Sequence, residues 1–120
     1  MSTYLSMPEL VARIHLGNEV EQWLSHEKNV EYTLIRWLVI GREKGRIAVT
    51  YHESLDEGDE DSSDVYEFSA LDPENTPYGV THGFDSVEKA LDFATTTYGA
   101  SNNKFVAGGM IQEEYVKNLL

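Results

Sequence analysis

The side chains in this 120-residue chain that could do chemistry are mostly carboxylates and imidazoles. Between Glu53 and Glu74 stand 10 of its 21 acidic residues, with no lysine or arginine among them. Carboxylates at that density either coordinate a hard divalent cation or present a negative face to a cationic partner. The densest part holds Glu57, Asp59, Glu60 and Asp61. A calcium loop begun at Asp56 would place side-chain oxygens at positions 1, 5, 7, 9 and 12, ending at Glu67. It would also put Gly58 at position 3 and Asp61 at position 6, where the turn needs glycine. That rules out an EF-hand. The segment reads instead as a docking surface for a basic protein, centred on Glu57, Asp59, Glu60 and Asp61. The plainer reading is a solvated loop that aids solubility and guards a strand edge.

The four histidines, His15, His26, His52 and His82, form neither an HxH nor an HExxH pattern. No local zinc motif follows from them. His52 and His82 both fall on predicted strands. If they converged near the acidic segment they would make a metal or acid–base centre with nearby carboxylates, which is the enzymatic alternative. The chain has no cysteine, hence no thiol nucleophile, thiolate metal site or disulfide. GxSxG, GxxxxGK[ST] and GxGxxG are all absent. Gly108–Gly109 precedes a predicted helix and reads as a hinge as readily as an anion cradle. The sequence therefore assigns no catalytic residue, no metal ligand and no cofactor.

The elements that must position these groups centre on Val30–Glu53. Leu34 to Ile40 is apolar except for Arg36, with Leu34, Leu38 and Ile40 projecting to one side and Ile35, Trp37 and Val39 to the other. A strand apolar on both faces needs cover on both. Gly41 to Gly45 supplies a charged turn, and Ile47, Val49 and Tyr51 then alternate as the inward face of a second strand. Upstream, Ser6 and Glu9 have capping-box spacing ahead of the stripe Met7, Leu10, Val11 and Ile14, closed by Gly17. Asn18 and Glu21 give a second start signal with Val20, Trp23 and Leu24 as its stripe, which predicts a second helix, or the first one resumed after a break, ending near His26.

Downstream, residues 54–63 read as loop, Asp64 to Ala70 as a strand and Tyr78 to Phe84 as a weaker one. Asp85 and Glu88 again have capping-box spacing, and Val87, Ala90, Leu91 and Ala94 follow at helical intervals up to Gly99. Lys104 to Ala107 reads as a short strand, and Ile111, Tyr115 and Leu119 as the stripe of a C-terminal helix. The prediction is one α+β domain over residues 1–120. It is an antiparallel meander of three or four strands, with N-terminal helices and C-terminal helices packed on it. Cover on the second face would come from a helix or from a second copy.

A formal charge of −12 argues against nucleic acid and against anionic membranes, both of which select for lysine and arginine. No apolar run is long enough to span a bilayer, and the N-terminus lacks the pattern of a secretion signal, so a cytoplasmic location is expected. Arg42, Lys44 and Arg46 cluster at the hairpin turn. The second strand separates them from the acidic segment, which would make the molecule a dipole and allow head-to-tail contact between copies. In size, acidity and α+β order the chain resembles small bacterial immunity and antitoxin proteins, and other accessory proteins of mobile elements. The resemblance is one of composition and assigns no residue a role. The leading expectation is a non-enzymatic interaction protein of inhibitor type. The alternatives are the His52–His82 site and a small homodimeric module paired through its sheet or its C-terminal stripe.

Overall fold

Branched and aromatic residues on both sides of Leu34–Ile40 need two partner layers, and the computed structural model, which describes residues 3–120, supplies both. The elements run α1 (Met7–His15), β1 (Val20–Lys28), β2 (Thr33–Glu43), β3 (Arg46–Leu55), a 3₁₀ turn (Val65–Glu67), β4 (Val80–Phe84), α2 (Val87–Tyr98), β5 (Val106–Ala107) and α3 (Ile111–Leu119). The five strands form one antiparallel sheet in the order β4-β3-β2-β1-β5, with β2 at its centre. This is an α+β fold with helices from both ends of the chain packed on the sheet.

On one face, Leu38 and Ile40 of β2 join Val20, Ile47 and Val49 beneath α1 and α2, where Leu10, Ile14, Ala90 and Leu91 are buried. On the other, Ile35, Trp37 and Val39 lie under Val65 of the 3₁₀ turn and Ile111 and Tyr115 of α3. The C-terminal stripe thus docks on the core of its own chain.

The hairpin is tighter than the five-residue turn suggested by sequence. Glu43 pairs with Arg46, which leaves Lys44 (φ 53°) and Gly45 (φ 79°) as a two-residue turn of type I′. The α1 capping box forms as expected: Ser6 Oγ accepts from Glu9 N, and Ser6 N donates to Glu9 Oε1.

Three predicted elements are corrected. The segment after Gly17 is strand β1, not a helix. Val20 and Leu24 pack on the α1/α2 side and Trp23 on the α3 side. What looked like a helical stripe is therefore a strand buried on both faces, with its register shifted between Trp23 and Ser25 by a bulge. Asp64 to Ala70 is not a strand. Asp64 Oδ1 accepts from Tyr66 N and starts the 3₁₀ turn, which carries Val65 and Phe68 inward at a three-residue interval. Only Ala70 forms an isolated bridge, to Ser54. At α2 the N-cap is Ser86, whose Oγ accepts from Lys89 N, while Asp85 forms an ion pair with Lys89 at 3.0 Å.

Candidate functional site

Strand β3 runs from the basic turn to the acidic segment, and its ten residues span roughly 33 Å. Arg42 donates to the His15 carbonyl and Arg46 to the Gly83 carbonyl, both far from Asp56–Asp61 in the register of the sheet. The expected separation of charge along the hairpin is present.

The acidic segment is pinned to the fold by its own carboxylates. Asp56 Oδ1 accepts from Gly58 N at 3.1 Å and from the Tyr115 hydroxyl at 2.6 Å. Glu57 accepts from the backbone and the hydroxyl of Ser69, at 2.5 and 2.9 Å. Asp59 accepts from Asp61 N at 2.9 Å, and Asp59 and Ser62 exchange backbone hydrogen bonds. Gly58 sits so close that a Cβ there would lie 2.5 Å from Phe68 Cζ and 2.6 Å from the Tyr115 hydroxyl. The loop is an ordered projection, tied at its base to α3 through Tyr115. Burial and the Asp56 carboxylate together hold the Tyr115 hydroxyl well above its ordinary range.

All four predicted docking residues, Glu57, Asp59, Glu60 and Asp61, are exposed. The fold brings them onto one projection, but they are not equivalent. Glu57 and Asp59 also serve as internal acceptors, whereas the carboxylates of Glu60 and Asp61 have no hydrogen-bond or ion-pair partner among the described residues. The neighbouring Glu53 lies 3.8 Å from Arg36 and accepts from Tyr51, whose hydroxyl burial pushes up to about 12.

The two histidines do not meet. His52 pairs with Trp37 across β2–β3 and stacks on it, with ring centroids 4.2 Å apart, on the α3 face. His82 pairs with Val49 and packs on Phe93 of α2, on the opposite face. The centre proposed from His52 and His82 is therefore not formed. Among the described residues no three His, Asp or Glu side chains come together as a set of metal ligands.

What the sequence did not disclose is a slot beside the acidic projection. The Trp37–His52 stack forms its floor, and Tyr66 stands edge-on to Trp37 at 4.9 Å. The far wall is the connection through Thr76, Pro77 and Tyr78, and the slot's volume is about 170 Å³. Trp37 is fixed from below by donating to Ser54 Oγ at 3.1 Å. Burial lowers the His52 imidazole to about 4, so it is neutral at pH 7, and its ring nitrogens have no hydrogen-bond partner among the described residues. Tyr66 donates to the buried carboxylate of Glu21, and with burial this contact holds its hydroxyl far above the usual range. A signal for the His52–Trp37 pair does exist in the chain. Once the turn is known to be Lys44–Gly45, counting back along both strands puts position 52 opposite position 37.

Protein families, curated proteins and solved structures offer no match to this chain. The functional reading therefore rests on geometry. A second opening, of about 460 Å³, lies between α1 and α2, with Met7, Val11 and Leu91 inside and Asp85, Glu88 and Asp92 at its rim. It contains none of the predicted docking residues. No helix among the described residues is long and apolar enough to cross a membrane.

Proposed function

We propose that this chain is a non-enzymatic interaction protein that docks on a basic protein through the projection carrying Glu57, Asp59, Glu60 and Asp61. The observation that carries the reading is that these exposed carboxylates sit on a hydrogen-bonded base, with Glu60 and Asp61 unpaired among the described residues. A backbone already tied to the fold loses little freedom on binding, and the negative charge it carries steers a cationic partner on approach. An inhibitor of a nuclease-like toxin in a bacterial cytoplasm is the role that fits, since such a toxin presents a basic surface shaped for phosphate.

The test is affinity capture from host lysate with the wild-type chain and with Glu57→Gln/Asp59→Asn/Glu60→Gln/Asp61→Asn side by side. A basic protein should be retained by the wild type, elute as salt rises, and be missing from the variant's eluate. Equal retention by both would remove the proposal. Sheet geometry favours a second reading, a homodimer. Strand β4 is an edge strand whose residues from Val80 to Gly83 are exposed and uncharged, a pattern that favours pairing with another copy. Sedimentation across a range of protein concentrations would reveal that association.

A further inference from the structure

The slot floored by Trp37 and His52 has the composition of a receptor for one particular side chain. We propose that it seats the guanidinium group of an arginine presented by the basic partner. This rests on the docking reading above and gives that interface an anchor.

Three observations select the guest. First, the walls are aromatic faces and edges: His52 stacked on Trp37, and Tyr66 set against Trp37 at 78°. Flat, electron-rich walls attract a cation lying over them, and a planar guanidinium stacks where an ammonium cannot. The Tyr66 hydroxyl donates to the Glu21 carboxylate, which makes its ring more electron-rich. Second, His52 offers the slot an acceptor that no described residue uses. A neutral imidazole carries one unprotonated nitrogen, and no described residue donates to His52. Gly79 keeps the space beside that ring open, since a Cβ there would lie 2.9 Å from His52 Nδ1. Third, residues 65–70 of the acidic segment form a wall of the slot, and no lysine or arginine lines it. An anionic guest would enter a negative field with no counter-charge. An apolar guest would bury the His52 acceptor unsatisfied. A volume of about 170 Å³ admits one guanidinium with its last methylenes.

The experiment is an NMR titration of the full ¹⁵N-labelled chain with N-acetyl-arginine N-methylamide, alongside the lysine and norleucine counterparts. Saturable shifts are expected at the Trp37 indole N–H, the His52 ring and the Gly79 amide. The lysine probe should bind about tenfold more weakly and the norleucine probe should give no saturable shift. His52→Phe keeps a ring on Trp37 but removes the acceptor, and Ala70→Leu fills the slot. Each should abolish the arginine response while leaving the remaining amide pattern in place. No saturable shift, equal binding of the lysine or norleucine probe, or binding that survives Ala70→Leu would each overturn the assignment. The variant neutralised at Glu57, Asp59, Glu60 and Asp61 should still take the arginine probe. With the wild-type chain, absent lysate capture with probe binding intact would count against the docking reading alone, and absent probe binding with capture intact against the slot alone.

Discussion

At the level of single side chains, burial and charge compete most directly at His52. Its imidazole is held neutral because protonation would strand a charge between Trp37 and the slot wall. The folded group titrates at about 4 and the unfolded one at about 6.5. Acid therefore protonates the unfolded chain first. The His52 contribution is complete above the unfolded value and is lost as pH falls through that window. The urea midpoint of the wild type should drop from about pH 7 to about pH 5, and His52→Phe should flatten that drop. An equal slope in both proteins would show that His52 does not titrate in that range. Lys44 offers a simpler case. It holds φ 53° in a turn position suited to asparagine, so Lys44→Asn should stabilise the chain by about 0.5 kcal/mol in denaturant unfolding.

Among the elements, α3 is the one most dependent on distant residues. Its N-cap position, Met110, makes no side-chain cap bond. Glu21 of β1 supplies the acceptor instead, taking Ile111 N at 2.9 Å while it also accepts from Tyr66. A carboxylate at a helix N-terminus satisfies a free N–H and faces the positive end of the dipole, which explains why a fully buried Glu21 is tolerated. Glu21→Ala should cost about 2–3 kcal/mol and speed hydrogen exchange at residues 111–114 before it does so elsewhere. Removing the chain after Gly109 would strip Ile111 and Tyr115 from the core over Trp37 and Val39. The truncated protein should unfold or aggregate in sedimentation rather than remain a folded monomer. A well-folded truncation would mean that α3 is not part of the core.

For the whole molecule, the governing fact is a net charge of −12 with its densest negative region beyond the end of β3. Like charges repel in the folded state, so raising salt from low ionic strength should raise the thermal midpoint. The four-residue neutralised variant should start higher and respond less, because part of that repulsion is already gone. A salt response of equal size in both proteins would place the repulsion elsewhere on the surface. The same separation leaves the basic turn at Lys44 facing away from any partner engaged at Glu60 and Asp61.

How much of this was legible follows from the range of each interaction. The two-faced β2, the hairpin, the Ser6–Glu9 cap and the stripes of α1, α2 and α3 are written in local spacing, because i to i+2 and i to i+4 relations are set by backbone geometry alone. The acidic cluster is likewise visible as composition. The strand state of β1 was not legible: Val20, Trp23 and Leu24 satisfy a helical period, and only pairing with β2 shows that they divide between two faces. Glu21 looked like part of a local start signal, yet it caps a helix 90 residues away. The slot depends on residues from β2, β3 and the connection before β4 meeting at one place. Sequence by itself thus determined the periodic elements and the sign of the surface. Tertiary structure alone decided which buried groups meet, because those contacts join residues whose separation along the chain encodes no distance in space.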